Sequence, residues 1–347
     1  MKTILATAVA AVLMLAAGCG GGGGPSGDAS RSAGAITTLK VASAPNVFLA
    51  ALYVARDDGL FAKERLKVDI AQVESGNDSI AALASGGAQF ADIGFEDLVE
   101  MRGQGDTSVV LVRDILDRVT LTLVMRKDVA ARKGVTPESP LRARLQALRG
   151  LKIGITSPGA PTDTYMRYYL RSVGMNPERD VQLIPVGGAS SLLAALQKRQ
   201  IDAYHLSPPT PYVAAEQGFG TVLIDGVKGE VPDLNDFAYT AWGAARKWAE
   251  DNPQTVAAFG RALTAATRKV RSDPRAVTDQ ILDDLGSDDR ASILRTVQGM
   301  NTALSPDGCF DPSMVRRTLD RMLQLRIFDE RADAAEGELW TNKYNAC

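Results

Sequence analysis

Residues 151–170 read LKIGITSPGAPTDTYMRYYL, and this stretch decides the fold that the sequence predicts. The apolar residues 151–156 predict a buried strand, residues 157–162 form a loop of small and turn-forming residues, and residues 163–173 predict a helix that ends near Gly174. A strand, a short loop and a helix in this order begin a βαβ unit of a parallel sheet. The loop then lies beyond the carboxyl end of the strand, where sheets of this kind bind ligands.

The same order of elements occurs twice along the chain. In the first copy the predicted strands are residues 39–43, 66–73 and 90–94, and the predicted helices are residues 48–57 and 79–85. In the second copy the predicted strands are residues 151–156, 181–186 and 201–204, and the predicted helices are residues 163–173 and 191–198. Two βαβαβ units of this kind predict the α/β fold class, with mostly parallel sheets flanked by helices.

The composition of the chain is that of a soluble globular protein. Hydrophobic residues make up 45% and charged residues 23% of the 347 residues, and this length favours two domains. The formal net charge is only −2, so no overall field draws the protein to nucleic acid. Nucleic acid is therefore not an expected partner.

The first residues predict export. Lys2 precedes an apolar stretch at residues 4–17, and small residues lead to Cys19, which is the pattern of a signal peptide over residues 1–18. Cys19 resembles the lipid-bearing first residue of bacterial lipoproteins, and residues 19–36 form a flexible linker rich in Gly and Ser. We expect a protein that is lipid-anchored to the cell membrane and faces the periplasm or the exterior. The alternative is an ordinary signal peptide with an unmodified Cys19.

The remaining cysteines and the single histidine limit the chemistry. Cys309 and Cys347 are an even pair in an exported chain, so they are expected to form a disulfide, with two free thiols as the alternative. One histidine, His205, cannot supply a multi-histidine metal site or much of a catalytic set. No nucleotide-binding loop and no G-x-S-x-G, C-x-x-C or H-E-x-x-H motif occurs in the sequence. The sequence therefore predicts no enzyme, no cofactor and no metal site.

Several short motifs resemble one family of binding proteins. Residues 52–61 (LYVARDDGLF), 82–86 (ALASG) and 90–94 (FADIG) are similar to signatures of the solute-binding proteins of ABC importers in the nitrate, sulfonate, taurine and pyrimidine-precursor group. Residues 148–154 (LRGLKIG) resemble the start of the second lobe in that group. The resemblance covers roughly residues 37–275.

The resemblance implies a fold and a function. The fold is the two-lobe type II periplasmic-binding fold, in which the chain crosses twice between the lobes. Residues 37–125 and 236–347 would form lobe 1 with its C-terminal helices, and residues 126–235 would form lobe 2. The implied function is capture of a small molecule by lobe closure and delivery to a membrane permease served by a separate ATPase subunit, with the binding protein as a monomer.

The candidate ligand-binding residues lie at the carboxyl ends of predicted strands or in the helical turn that follows, where the relatives carry their ligand contacts. In lobe 1 they are Asn46, Phe48, Gly76, Asn77, Asp78, Phe95 and Glu96, and in lobe 2 they are Ser157, Thr162, Asp163, Tyr165, Gly188, Ala189, His205 and Ser207. Two alternatives stay open. Asp78 and Asp163 suit capping acids of helices, and a lone histidine is often a structural residue.

The expected ligand is a small organic molecule with an anionic or strongly polar end, such as a sulfonate, carboxylate or pyrimidine-type compound, or a nitrate-like ion. The loop at residues 157–162 offers backbone N–H groups for an anion but no base before Arg167, and aromatic residues suit a ring or an alkyl body. Two other functions remain: a sensory protein that presents its closed form to a membrane receptor, and a pyrimidine-synthase-like enzyme. The enzyme would need a Cys-rich segment and several histidines, which this chain lacks.

Overall fold

The structure is a computed structural model that describes residues 36–329 and 332–347. The predicted signal peptide, Cys19 and the linker up to residue 35 lie outside the described residues. Within the described ranges, no helix has the length and apolar character needed to cross a membrane.

The described residues form ten strands and fourteen α-helices. The strands are β1 (Thr37–Ser43), β2 (Leu66–Gln72), β3 (Phe90–Gly94), β4 (Val109–Arg118), β5 (Thr122–Arg126), β6 (Lys152–Ile155), β7 (Gln182–Pro185), β8 (Ala203–Leu206), β9 (Gly220–Ile224) and β10 (Asn235–Ala245). The helices are α1 (Ala50–Asp57), α2 (Leu60–Lys63), α3 (Gly76–Ala84), α4 (Phe95–Gly103), α5 (Lys127–Lys133), α6 (Leu141–Gln146), α7 (Pro161–Ser172), α8 (Ala189–Gln197), α9 (Thr210–Glu216), α10 (Arg246–Asp251), α11 (Pro253–Ser272), α12 (Pro274–Ile281), α13 (Arg290–Met300) and α14 (Pro312–Gln324).

The two copies of the predicted repeat become two five-stranded sheets of the same design. The first sheet has the order β2-β1-β3-β10-β4 and the second the order β7-β6-β8-β5-β9. In each sheet the first strand of the repeat pairs in parallel with the other two strands of its own copy. The fourth strand in each order, β10 in the first sheet and β5 in the second, is antiparallel to both neighbours. Neither strand belongs to the repeat: β10 follows the second copy in the sequence, and β5 precedes it. Each lobe is therefore a mixed sheet with a parallel core.

The first crossing between the lobes lies earlier than predicted. β5 pairs with β8 and β9 of the second sheet, so the chain leaves lobe 1 after Arg118, and the predicted boundary at residues 125 and 126 is wrong. The return is close to its predicted place, because β10 begins at Asn235. Pairing between distant strands, and not the local sequence, decides which sheet accepts β5.

The two crossings run side by side. The backbone N–H of Val119 in the first crossing donates to the carbonyl of Leu234 in the second, at 3.1 Å. Gly226 approaches the first crossing so closely that a Cβ atom there would lie 2.3 Å from the carbonyl oxygen of Leu121. Two connecting segments that lie side by side between the lobes are the arrangement of a hinge.

Aromatic residues fill the core of lobe 1. The ring of Phe90 on β3 stacks on Phe259 of α11 with 4.0 Å between the centroids, and its edge meets Trp248 at 5.4 Å. Phe259 in turn packs against Phe61 and Trp242. The apolar side of α11 covers the first sheet in this way, so burial of aromatic area stabilises the return segment on lobe 1.

The C-terminal tail covers the edge strand β4. Leu111 of β4 receives a hydrogen bond from Thr341 and donates one to Leu339, each at 2.9 Å, and the ring of Trp340 packs on Phe310. A disulfide joins Cys309 to Cys347. The tail therefore occupies backbone groups that an exposed edge strand would offer to another chain.

Removing this disulfide should destabilise the fold. The bond closes a loop with a sequence separation of 38, and constraint of a loop of that length in the unfolded chain contributes about 3–4 kcal/mol. We expect the double variant Cys309→Ser, Cys347→Ser to lose about this much free energy of unfolding in urea titrations. Dithiothreitol should lower the midpoint of the parent protein and leave that of the variant unchanged. Equal midpoints for both proteins without reductant would contradict the expectation.

Candidate functional site

A cavity of about 190 Å³ lies where the carboxyl ends of the strands of both sheets meet. Lobe 1 contributes the loops after β1 and β2 and the end of β3, and lobe 2 contributes the loops after β6 and β7 and the end of β8. Leu121 of the first crossing and Tyr239 and Thr240 of β10 complete the wall. The site is therefore built at the position that the parallel topology favours.

Several of the predicted residues line this cavity. They are Asn46, Phe48, Gly76, Thr162, Gly188, Ala189 and Ser207. Asn46 also caps the short 3₁₀ helix Val47–Leu49, because its side-chain oxygen accepts from the backbone N–H of Phe48 at 3.4 Å.

Other lining residues were missed by the sequence reasoning. The polar ones are Glu74, Ser75, Asp92, Asp97, Thr156, Ser190, Ser191, Tyr239 and Thr240. Glu74 and Ser75 were within the predicted loop after β2 and could have been found from that position. Asp97 is one residue beyond the predicted pair Phe95 and Glu96, and Tyr239 comes from a strand that no local pattern connects to the site.

Asn77 and Ser157 do not line the cavity but meet each other across the gap between the lobes. The side-chain amide of Asn77, in the first turn of α3, donates to the hydroxyl of Ser157 at 3.5 Å and to the carbonyl of Pro158 at 3.3 Å. These residues join the two lobes in the form that the structure describes.

Asp78 and Asp163 are capping acids. Asp78 accepts from the hydroxyl of Ser75 at 2.8 Å at the start of α3, and Asp163 accepts from the backbone N–H of Gly159 at 2.9 Å at the start of α7. Asp163 also pairs with Arg167 at 2.7 Å. Neither carboxylate lines the cavity, since the positive ends of the helices hold both of them.

Phe95, Glu96 and Tyr165 are buried behind the cavity. The hydroxyl of Tyr165 on α7 donates to Oε2 of Glu96 on α4 at 3.2 Å, so this bond also links the lobes. Phe95 is 1% exposed and belongs to the core. The first turn of α4 points Phe95 and Glu96 away from the cavity and brings Asp97 to it instead.

His205 does not face the cavity. Its side chain is fully buried, its ring lies 5.7 Å from that of Tyr169 on α7, and its Nε2–H donates to the carbonyl oxygen of Thr162. Burial lowers the pKa of His205 to about 4, so the ring is neutral at pH 7. The residue is structural and fixes the first turn of α7, from which Thr162 reaches the cavity.

The side chain of Glu74 closes one side of the cavity. Its Oε2 accepts from the backbone N–H of Gly188 at 3.0 Å, which links the loop after β2 to the start of α8 in the other lobe. A Cβ atom at position 188 would lie 2.1 Å from that oxygen. A side chain at position 188 would therefore displace the carboxylate of Glu74 from this hydrogen bond.

Buried carboxyl groups give the cavity its electrostatic character. Burial raises the pKa of Asp92 to about 7, and burial together with Glu100 and Asp92 raises the pKa of Asp97 to about 7, although the N–H of Gly94 donates to Asp97 at 3.1 Å. Burial and the neighbouring Asp97 raise the pKa of Glu96 well above its usual range. None of the residues that the structure places around the cavity is Lys, Arg or His.

Comparison with known proteins identifies the family. Residues 32–281 match the model of the NMT1-like family, which is more than half of the chain. The chain belongs to the NMT1-like family. The resemblance noted in the sequence is thereby confirmed.

Several known proteins are similar to this chain over most of its length. The binding protein YtlA of Bacillus subtilis (strain 168) is 25% identical over 259 residues, which span 73% of this chain and 72% of YtlA. The ligand-binding component of an ABC-type import system from Staphylococcus aureus has a TM-score of 0.68 at 15% identity, over 89% of this chain and 98% of the other. The aliphatic sulphonate binding protein SsuA from Escherichia coli has a TM-score of 0.66 at 18% identity, over 89% and 99%. The predicted two-lobe periplasmic-binding fold is confirmed by these similarities.

Proposed function

We propose that this NMT1-like protein is the extracytoplasmic solute-binding component of an ABC importer. It captures a small molecule between its lobes and delivers it to a membrane permease served by a separate ATPase. The observation that carries the proposal is the cavity itself, whose wall is made of strand ends from both sheets. A ligand there contacts both lobes only when they are closed, so its binding energy favours the closed form.

Hydrogen bonds around the cavity hold the two lobes together in the closed form. Glu74 with Gly188, Asn77 with Ser157, and Glu96 with Tyr165 each join lobe 1 to lobe 2. Each bond breaks when the two lobes rotate apart about the adjacent crossings. Opening then exposes the cavity to solvent, and closing buries the ligand in a surface that a permease can recognise.

The similar proteins support a role in solute transport without indicating which solute. A relative in fold is a component of an ABC-type import system, and another binds aliphatic sulphonates. YtlA is named as a binding protein. We propose in addition that residues 1–18 direct export, that Cys19 carries a lipid that keeps the protein at the membrane, and that the protein acts as a monomer.

The proposal is tested by small-angle X-ray scattering and thermal unfolding of the purified chain with a panel of nitrate, sulfonates, carboxylates, pyrimidines and organic amines. A bound compound should reduce the radius of gyration as the lobes close and should raise Tm with its concentration. Tyr165→Phe removes one interlobe bond without changing the cavity lining and should weaken both responses slightly. If no compound in the panel changes either quantity, the binding-protein proposal fails.

A further inference from the structure

The lining of the cavity is acidic. Glu74, Asp92 and Asp97 contribute carboxyl groups and no lining residue contributes a positive charge. The nearest base predicted from the sequence, Arg167, is held by Asp163 and Glu178. Hydrogen-bond donors and positive charge favour binding of nitrate or a sulfonate, and the described residues of this cavity offer donors and carboxyl groups but no cation.

One of these carboxyl groups has an oxygen without a partner. Asp92 is 9% exposed, lines the cavity, and its Oδ1 receives no hydrogen bond within the described structure. Glu96, directly behind Asp97, has a second such oxygen, Oε1. The backbone N–H groups of Ala44 and Asp92 interact with the carboxyl of Asp92 but leave Oδ1 without a partner. A buried, ionised carboxylate with an unsatisfied oxygen is unfavourable, and a donor from outside the chain would satisfy it.

One backbone N–H that an anionic ligand could use already has an acidic partner. Helix N-termini commonly receive anions through their free N–H groups. At the start of α8, the carboxylate of Glu74 accepts from the N–H of Gly188 at 3.0 Å. The protein therefore places a negative charge of its own beside the N-terminus of α8.

A wider recess adjoins the cavity, and acidic residues line it as well. It has a volume of about 470 Å³ and shares Pro45, Ala189 and Ser190 with the cavity. Asp288 and Asp289 line it, and no Lys, Arg or His is among its lining residues. Clefts lined by one sign of charge concentrate ligands of the opposite sign.

We propose that the cavity binds a small organic cation whose N–H groups donate to Asp92 and Asp97 while its apolar body lies against Phe48 and Leu121. Ammonium, amidinium and guanidinium compounds have this chemistry. The inference rests on the proposed binding function and replaces the anionic end that the sequence led us to expect. Capture neutralises the buried carboxylates, so closure and charge pairing favour the same state.

The test uses three probes of one shape and different charge. Benzamidinium, benzamide and benzoate are titrated into the purified chain at pH 8 by calorimetry. Benzamidinium should bind, benzamide should bind at least 10-fold more weakly, and benzoate should give no signal. The variant Asp97→Asn should lose at least 10-fold in benzamidinium affinity. Asp69→Asn, the same change at an exposed position on β2 beside Lys67, should bind like the parent protein.

Folding of the variant is checked separately. Because Asn is neutral, Asp97→Asn should keep its circular dichroism spectrum and unfold at pH 8 no lower than the parent protein, so weak binding cannot be assigned to unfolding. Failure of benzamidinium to bind, or affinity that survives Asp97→Asn, overturns the inference. Binding of benzoate also overturns it but leaves the binding-protein proposal standing, whereas that proposal fails only if no compound of the wider panel closes the lobes.

Discussion

Gly188→Ala is expected to lower ligand affinity about 10-fold to 100-fold. The added Cβ would lie 2.1 Å from Oε2 of Glu74, so the carboxylate must leave the N–H that it now binds across the lobes. Hydrogen bonds to charged groups contribute about 1.5–3 kcal/mol, which corresponds to this range of affinity. Because the bond exists only when the lobes are closed, its loss acts on the closed form and leaves the stability of each lobe unchanged.

A double-mutant cycle tests whether Gly188→Ala lowers the affinity through Glu74. Glu74→Ala removes the same bond without crowding position 188, and Gly188→Ala made in the Glu74→Ala background should change benzamidinium affinity by less than about 2-fold. Scattering should show that both single variants need more ligand to reach the compact form, while urea midpoints stay close to that of the parent protein. Additive losses in the double variant would show that Gly188 acts by another route than Glu74.

Local sequence patterns predicted most of the strands but not their partners. β3 was predicted at its observed bounds, because a short apolar run between turn residues admits few alternatives. α3 begins at Gly76, earlier than the predicted residue 79, because Ser75 caps it. β5 was assigned to the wrong lobe, since its run of apolar residues suits the core of either sheet and the choice depends on pairing with β8 and β9.

The position of the candidate site was predictable, but its charge was not. Strand ends and small loop residues identified Thr162 and Gly188, because backbone topology alone brings those positions together. Asp97 was missed because neighbouring residues of a helix point about 100° apart, and the sequence does not reveal which one faces the gap. Tyr239 comes from β10, which joins the site only through pairing with β3. The acidic character emerges when such distant residues are seen together.

Acidification should raise the stability of the ligand-free protein and weaken its affinity for cations. The carboxyl groups of Asp92 and Asp97 have pKa values of about 7 in the folded protein, against about 3.9 in an unfolded chain. The folded state therefore binds more protons, and the stability from these protons is full below about pH 4 and is lost as pH rises through 7. Tm of the ligand-free protein should rise as pH falls from 8 to 6.5.

Below pH 6.5 His205 opposes this rise. Its pKa is about 4 in the folded protein and about 6.5 when unfolded, so the unfolded state takes up the proton and stability is lost as pH falls from 6.5 to 4. The gain in Tm below pH 6.5 should therefore be smaller than the two carboxyls alone would give, because one group that takes up a proton on unfolding opposes two that release one. The groups that face the two carboxyls are Tyr53 on α1, Glu96 and Glu100 on α4, Tyr165 on α7 and Tyr239 on β10. None of these five can carry a positive charge to reverse the sign.

Cation binding should follow the opposite course, because a protonated carboxyl cannot pair with benzamidinium. For a pKa of about 7, each carboxyl that must lose its proton lowers the affinity about 30-fold between pH 8 and pH 5.5. Calorimetry over this range measures the decline, and Asp97→Asn should reduce both the rise in Tm and the slope of the residual affinity. An affinity that is independent of pH, or that increases on acidification, would show that the buried carboxyls are not the groups that receive the ligand.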